Sequence, residues 1–339
     1  MKLATPRWWY KRHLSAREGG MPAIRGLLTP VSWVWAAVTA RRIANTAPVD
    51  PGVPVICVGN LTVGGTGKTP VVRALAARLA ARGKAVHLLS RGYGGRLEGP
   101  VRVDPAAHTT ADVGDEPLML ARDYPVWVAR DRAAGAKAAA ADGAEVIVMD
   151  DGHQNPSVRK ALSLVVVDGE TRDGDWPFGD GRVFPAGPMR EPLKGGLARA
   201  GAAIVLLPAD LATVDPELLG ALAAVPVLVA HLAGVCAPPP GPQVGFAGVG
   251  KPWKVERALQ AAGCDLVDFA PFPDHAAYED AVLRRLADRA AQFSAGLVTT
   301  EKDWVRLPAA WRAKITPWPV QAEFDDWTAL DALLAKTGL

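Results

Sequence analysis

The chain has 339 residues, of which 49% are hydrophobic and 22% are charged, as in ordinary globular proteins. This composition excludes an intrinsically disordered or collagen-like chain, and the length suggests two domains, or one large domain with an appendage. The cysteines are widely spaced and form no Cys-x-x-Cys pair, which argues against a zinc ribbon or a secreted disulfide framework and favours a reducing cytoplasm. The cysteines are Cys57, Cys236 and Cys264.

Residues 1–50 form a basic, tryptophan-rich segment. They carry eight Lys and Arg against two acidic residues, together with four of the eleven tryptophans, a combination typical of a membrane interface. Residues 26–40 are uncharged, and a helix of that length is about 22 Å long, too short to cross a hydrocarbon core of about 30 Å. We expect an interfacial helix; the alternatives are a signal peptide and a helix buried against the protein core. The side chains expected to enter one leaflet are Leu27, Leu28, Val31 and Trp35.

A strand, a glycine-rich loop and a helix are predicted in succession from residue 55. Residues 55–58 are a β-branched run, and residues 70–81 have helical composition that ends at Gly83. In such a loop, backbone amides surround phosphate oxygens, a lysine adds charge and a hydroxyl binds Mg²⁺. The strict phosphate-loop pattern requires Gly where this chain has Thr62, and the alternative is a flexible linker. The residues predicted to bind nucleotide are Thr62, Gly64, Gly65, Thr66, Gly67, Lys68 and Thr69.

An acidic pair directly follows an apolar run at residues 145–154. The sequence EVIVMDDGHQ predicts a Walker B strand that ends at Asp150 and Asp151, with Gln154 close behind. If this strand is the parallel neighbour of the phosphate-loop strand, the pair lies near Thr69 and its metal. The alternative is that the two aspartates only begin a turn.

Three other polar clusters are weak signals by themselves. Asp115 and Glu116 precede a proline and a predicted helix, which is ordinary helix-start composition. His275 lies beside Asp274 ahead of an amphipathic segment, where a helix cap is the alternative. Residues 301–303 are either a rim cluster or a solvated helix start.

Taken together and in order, seven motifs resemble one family, the tetraacyldisaccharide 4'-kinases, which phosphorylate the lipid A precursor at the inner membrane. The family also has a membrane-associated N-terminal helix. Spread over most of the chain, the motifs are far more specific than a phosphate loop alone. They are VGNLTVGGTGKTP (58–70), SRGYGG (90–95), VGDEP (113–117), DDGHQ (150–154), PAGPMREP (185–192), FPDH (272–275) and TTEKD (299–303).

The resemblance implies transfer of the γ-phosphate of ATP to the 4'-hydroxyl of a tetraacyl glucosamine disaccharide 1-phosphate, with Mg²⁺. It implies that Asp115 is the base, that His275 pairs with it, and that Lys68 binds the nucleotide phosphate. The metal environment would consist of Thr69, Glu116 and Gln154, ordered by Asp150 and Asp151 on the nucleotide side. The implied substrate-binding residues are Arg91, Tyr93 and Arg190.

Alternating apolar runs and Ala-rich stretches predict a doubly wound, mainly parallel α/β sheet of the P-loop type. A proline-rich break at 237–242 separates a P-loop domain, 51–236, from a smaller α/β domain, 237–339, which closes over the site. The partners expected are the glycolipid and the membrane surface at the cytoplasmic face of the bacterial inner membrane, with no nucleic acid. The alternative function is a membrane-associated P-loop switch ATPase that controls a protein partner. The predicted strands lie at 55–58, 86–89, 126–129, 146–149, 164–167 and 203–207.

Overall fold

The computed structural model describes residues 6–11 and 22–339. Lys2, Arg12 and Arg17, which belong to the predicted basic membrane segment, lie outside the described residues. The strands are β1 (Val55–Gly59), β2 (Val86–Ser90), β3 (Val101–Arg102), β4 (Val126–Val128), β5 (Val146–Asp150), β6 (Leu162–Asp168), β7 (Ala202–Pro208), β8 (Val227–Gly234), β9 (Gln243–Ala247), β10 (Leu266–Pro271), β11 (Gly296–Thr300), β12 (Thr316–Trp318) and β13 (Val320–Phe324). The α-helices are α1 (Pro22–Asn45), α2 (Lys68–Ala80), α3 (Thr110–Val113), α4 (Asp115–Leu120), α5 (Arg132–Ala141), α6 (Leu193–Leu197), α7 (Pro216–Ala221), α8 (Pro252–Ala261), α9 (Asp280–Gln292), α10 (Glu301–Trp304), α11 (Ala309–Arg312) and α12 (Thr328–Ala335).

The large sheet has nine strands in the described chain, in the order β13-β8-β7-β6-β1-β5-β2-β4-β3. Its central strands pair in parallel, whereas the edge strands β13 and β3 are antiparallel to their neighbours. β1, β5 and β6 are buried along their whole length, which explains their continuous apolar sequences. The α/β fold and the six predicted strands are confirmed.

The centre of this sheet brings the phosphate loop and the acidic pair together. β1 and β5 are parallel neighbours, and Val58 is the register partner of Asp150. Both strands therefore end at the same edge of the sheet, as expected for the carboxyl ends of parallel strands. The helix α2 begins at Lys68, directly after Gly67, whose φ of +77° is a left-handed conformation that glycine adopts without strain.

A small sheet of four parallel strands, β10-β9-β11-β12, follows in the chain. Its own core includes Phe246, Tyr278 and Leu283. Residues 320–339, which lie in the range predicted for the smaller domain, return to the large sheet: β13 pairs with β8, and Leu330 of α12 is fully buried in the main core.

The helix α1 has its polar side against the protein and its apolar side outward. Arg25, Ser32 and Thr39, spaced seven residues apart on one side of the helix, are buried. Ser32 accepts a hydrogen bond from the backbone of Ala186, and Arg25 pairs with Asp180 at 3.0 Å. Large apolar side chains are exposed instead, while Leu28 is half-buried. The exposed set is Ile24, Leu27, Val31, Trp33, Val34, Trp35 and Val38.

Among the described helices, none is both long and apolar enough to span a membrane. The buried-helix alternative for residues 26–40 is wrong, because most of their large apolar side chains are exposed.

Candidate active site

The phosphate loop, residues 60–67, is held together by a buried asparagine. The side-chain amide of Asn60 donates to the carbonyl of Thr62 at 2.8 Å and to the hydroxyl of Thr66 at 3.1 Å. Gly64 and Gly67 have positive φ angles, but Thr62 does not. A side chain at position 62 therefore causes no backbone strain, which accounts for the departure from the strict phosphate-loop pattern.

Two basic side chains converge on Asp151. Nζ of Lys68 lies 3.6 Å from Oδ1 of Asp151, and Nη1 of Arg190 lies 2.8 Å from the same oxygen. Arg190 also donates from Nε to the carbonyl of Thr62 at 3.0 Å. Burial alone would raise the pKa of Asp151, but Lys68 and Arg190 outweigh it, and the pKa is lowered. Asp151 is therefore a carboxylate that links the strand end to the phosphate loop.

Asp150 is a different kind of carboxyl group. It is 3% exposed, and no described residue donates a hydrogen bond to its buried Oδ1. Burial, followed by the nearby negative charge of Glu116, raises the pKa of Asp150 to about 7. An orphaned carboxylate oxygen beside another acid is what a cation would stabilise, so the site fits a bound Mg²⁺.

The predicted metal residues occupy separate positions, and among them only the charge of Glu116 acts on Asp150. Thr69 is half-buried at the start of α2, and Glu116 lies 3.2 Å from Nζ of Lys302. Gln154 uses its side-chain nitrogen to donate to the carbonyl of Asn60 and to Glu191. The described residues contain no group of three or more His, Cys, Asp or Glu that could hold a metal by itself. Mg²⁺ commonly binds through one or two carboxylates together with substrate phosphates and water, so a nucleotide would complete such a site.

The two side chains that the resemblance pairs are in contact. Nδ1 of His275 lies 2.8 Å from Oδ2 of Asp115, and Asp115 is buried. His275 has a φ of +58°, an uncommon conformation for a residue with a side chain, and such conformations concentrate at functional sites. Burial alone would raise the pKa of Asp115, but the hydrogen bond from His275 and the charge of Arg306 lower it.

The loop after β2 forms an exposed rim beside this pair. Arg91 is exposed, and the ring of Tyr93, which is 66% exposed, lies 5.6 Å from the ring of His275. Arg190, the third predicted substrate residue, lies instead between Asp151 and the phosphate loop.

Several charged residues near the site were missed by the sequence analysis. Arg132, at the start of α5, is buried, and burial lowers its pKa to about 10 although Asp150 and Asp151 oppose this. Its place directly after the short strand β4 was the available signal. Glu191 is 4% exposed and pairs with Arg199 at 2.6 Å, and it follows Arg190 within a motif that was recognised.

The two sheets also meet through an ion-pair cluster in which the aspartate is buried and the two lysines are half-buried. Asp168, at the end of β6, contacts Nζ of Lys251 at 2.7 Å and Nζ of Lys254 at 2.5 Å. Burial alone would raise the pKa of Asp168, but the two ammonium groups outweigh it, and the pKa is lowered. Burial lowers the pKa of Lys254, whereas at Lys251 the contact with Asp168 outweighs burial and raises it. This cluster had no sequence signal, because its members are far apart in the chain.

A family model described as tetraacyldisaccharide-1-P 4'-kinase matches residues 24–338. The chain belongs to this kinase family. The tetraacyldisaccharide 4'-kinase of Phenylobacterium zucineum is 70% identical over 98% of this chain and 99% of its own length, and that of Caulobacter vibrioides is 67% identical over all of both chains. Among solved structures, the "apo" form LpxK from Aquifex aeolicus in complex with ATP has a TM-score of 0.72 at 24% identity, covering 93% of this chain and 99% of that one. The similarity to LpxK shows the same fold.

Membership of the tetraacyldisaccharide-1-P 4'-kinase family confirms the resemblance inferred from the seven motifs. The family model covers α1, both sheets and the returning strand and helix at the end of the chain. The protein is therefore an enzyme of the kinase class, and the switch-ATPase alternative has no support among these relatives.

Proposed function

We propose that the protein transfers the γ-phosphate of ATP to the 4'-hydroxyl of a tetraacyl glucosamine disaccharide 1-phosphate, a step of lipid A biosynthesis. The observation that carries this proposal is the contact between Asp115 and His275 beside a phosphate loop, in a chain of the 4'-kinase family. Asp115 adjoins Glu116 in the chain. The charge of Glu116 raises the pKa of Asp150, and the charge of Lys68 lowers it. The candidate base and the phosphate loop thus share one electrostatic environment.

The phosphate loop and its neighbours bind the nucleotide. The backbone amides of residues 64–67 and the ammonium group of Lys68 hold the phosphates. Thr69, Glu116 and Gln154 would hold the Mg²⁺ together with the nucleotide phosphates, and Asp150 and Asp151 would keep these groups in place. Mg²⁺, when bound, neutralises charge on the phosphates. Preventing ATP hydrolysis requires that water be excluded from the site.

Asp115 orients the acceptor hydroxyl. Its lowered pKa makes it a weak base, as expected for an ionised carboxylate held by a histidine and an arginine. In a loose phosphoryl-transfer transition state, the nucleophile needs positioning more than early deprotonation, so a carboxylate of low pKa suffices and accepts the proton late. His275 holds the carboxylate in place and shares the developing charge.

The exposed rim binds the substrate. Arg91 pairs with the phosphate that the disaccharide already carries, and Tyr93 stacks on a sugar ring. Arg190, which lies beside Asp151, adds a further positive charge for binding the anionic substrate. Both rim residues lie on the loop after β2 and are exposed to solvent, and Tyr93 lies next to His275.

The smaller α/β domain, predicted at 237–339, closes over the site. A β-carbon added at Gly250 would lie 3.5 Å from the backbone nitrogen of Gly65, so the loop after β9 lies directly over the phosphate loop. His275 comes from this part of the chain, whereas Asp115 belongs to the predicted P-loop domain, 51–236. The reacting groups are assembled where the two parts meet, which excludes water from the transfer.

The N-terminal segment, residues 1–50, attaches the enzyme to the cytoplasmic face of the inner membrane. Its helix α1 exposes a set of large apolar side chains while its polar stripe faces the protein. An exposed apolar surface of this kind marks a membrane or protein contact, and the adjacent basic residues suit anionic headgroups. A lipid substrate requires that the active site lie close to the bilayer surface.

The decisive experiment is incubation with labelled ATP, Mg²⁺ and a tetraacyl disaccharide 1-phosphate in mixed micelles, followed by chemical location of the transferred phosphate. We expect label on the 4'-oxygen, and we expect Lys68→Ala to abolish it. The matched control is Lys137→Ala, in the middle of α5 and outside the candidate site. Label on another hydroxyl, or release of free phosphate without lipid product, would contradict the proposal.

A further inference from the structure

The TTEKD motif and the residues that follow it connect the two sheets through charged contacts. The motif was recognised in the sequence, but no role was assigned to it. Glu301 pairs with Arg73 of α2 at 2.5 Å, and Lys302 pairs with Glu116 at 3.2 Å. Asp303 is fully buried and accepts hydrogen bonds from the backbone of Gly248 and from Tyr278. The short helix α10, which follows β11 of the small sheet, therefore contacts both α2, the helix after the phosphate loop, and Glu116, the neighbour of the candidate base.

Arg306 follows this helix and is almost completely enclosed. Its side chain is 6% exposed, and Nη1 and Nη2 donate to the carbonyls of Ala276 and Gly248, while Nη2 also lies 2.9 Å from Asp303. Nε donates to the carbonyl of Lys302, within the same turn. These contacts fix the plane and the direction of the guanidinium group, because together they engage all three of its nitrogens.

The fixed guanidinium also reaches the candidate base. Nε of Arg306 lies 3.3 Å from Oδ2 of Asp115. Nδ1 of His275 contacts that same oxygen. Within the described chain, no hydrogen bond is made to the other oxygen of Asp115, Oδ1, whereas both contacts above are made to Oδ2. One oxygen of the carboxylate is thus held by a hydrogen bond from His275 and by an ion pair with Arg306, both from the small sheet, and the other oxygen is left for an acceptor hydroxyl.

We propose that Arg306 is a positioning residue for the phosphoryl transfer: it fixes the Asp115 carboxylate through Oδ2, so that Oδ1 meets the sugar hydroxyl. This inference rests on the proposed role of Asp115. With His275 as its only contact, the carboxylate group of Asp115 could still rotate about that hydrogen bond. The ion pair with Arg306 at the same oxygen restricts this rotation. Arg306 and His275 lie in the part of the chain that forms the small sheet, whereas Asp115 begins α4. The alignment of the Asp115 carboxylate therefore depends on the packing of the small sheet against α4.

The test is a double-mutant cycle in the full-length protein. We expect Arg306→Gln to lower kcat by about 10–100-fold, the range for slight misplacement of a reacting group, and to change the KM for ATP by less than about twofold. Arg306→Lys, which keeps the charge but not the fork, should restore part of kcat. In an Asp115→Asn background, Arg306→Gln should lower kcat by less than about threefold, since the group that it positions is already lost.

A matched control separates positioning from general support of the small sheet. Arg312 also donates to backbone carbonyls, of Leu307 and Val305, and lies against Trp304, but it makes no contact with Asp115. Arg312→Gln should therefore leave kcat within about twofold of wild type. Thermal unfolding of every variant identifies any that does not fold, and if Arg306→Gln is one of them, the cycle is completed with Arg306→Lys.

The outcomes separate the two proposals. An equal loss of kcat from the Arg306 substitution with and without Asp115 would overturn the positioning role, because the arginine would then act independently of the carboxylate. An equal loss in Arg312→Gln would also overturn it, since the effect would be one of folding. Failure of the proposed role of Asp115 has a different signature: Asp115→Asn would then transfer phosphate as fast as wild type. Failure of the proposed function would appear in the wild-type protein itself, as the absence of label on the 4'-oxygen.

Discussion

The exposed apolar side of α1 gives the most direct test of membrane attachment. In a triple variant, Leu27→Ser, Val34→Ser and Val38→Ser, side chains that are 78%, 64% and 62% exposed are replaced. Complete burial of one such side chain contributes roughly 1.5–3 kcal/mol. Scaled by the exposed fractions, the three contribute about 3–6 kcal/mol if all enter the apolar layer.

This free energy corresponds to a weakening of membrane partition by about 10²–10⁴-fold, at about 1.4 kcal/mol per factor of ten. The assay is flotation of the full-length protein with vesicles that contain anionic lipid. A matched variant, Ala23→Ser, Ala37→Ser and Ala40→Ser, changes three exposed positions on the same helix but removes little apolar surface. It should float like the wild-type protein.

The substitutions lie on the outer side of α1, so they leave its buried polar stripe intact. Both triple variants should therefore unfold within a few degrees of the wild-type protein. Equal flotation of the Leu/Val variant and the wild type would refute the membrane role of this helix surface. Loss of flotation in both triple variants would show instead that the helix itself had been disturbed.

Asp168→Asn should reduce the free energy of unfolding by about 2–4 kcal/mol, because it leaves the half-buried ammonium groups of Lys251 and Lys254 without their carboxylate. Urea unfolding measures this loss, and a loss below about 1 kcal/mol would contradict the expectation. The folded state lowers the pKa of Asp168 below its ordinary value of about 3.9, so the stabilisation is complete well above pH 4 and decreases as the pH falls below that value towards the lower pKa of the folded state. The stability difference between wild type and Asp168→Asn should therefore narrow between pH 7 and pH 3, whereas a constant difference would exclude this linkage. Asp115→Asn should lower kcat by about 10²–10⁴-fold with little change in ATP affinity in steady-state and binding measurements; an equal loss of ATP binding would show that the base lies elsewhere.

Local patterns predicted six of the nine described strands of the large sheet, because these strands carry the signal themselves, and they did not predict β3, β8 and β13. A strand such as β6, which is buried on both faces, must be apolar throughout, so its position is visible without knowledge of its neighbours. The parallel pairing of β1 and β5 follows from the usual topology of such sheets, which brings Asp151 close to Lys68. The orientation of α1 is harder to predict from the sequence. The spacing of its buried polar residues is visible there, but the side that contacts the rest of the protein depends on the surface against which the helix packs.

Contacts between distant parts of the chain were beyond sequence reasoning. Arg190 has a motif around it, yet only the folded chain shows that its guanidinium bridges Asp151 and the phosphate loop. Arg306 is one arginine among many in the sequence, and its distinction comes entirely from burial and from the carboxylate that it contacts. The pairing of Asp115 with His275 was reached through the family resemblance, because nothing in the spacing of the two residues indicates it.

The return of the chain from the small sheet to β13 limits how the two sheets can move. Gly234, at the end of β8, and Val320, at the start of β13, are register partners in the large sheet. Everything between them is therefore an insertion whose two ends leave from adjacent points. The small sheet is thus held at two adjacent chain attachments and by the ion pairs that join it to the large sheet, such as Asp168 with Lys251 and Arg73 with Glu301. Any separation of the two sheets would have to break these ion pairs, so they help to keep His275 and Arg306 against Asp115.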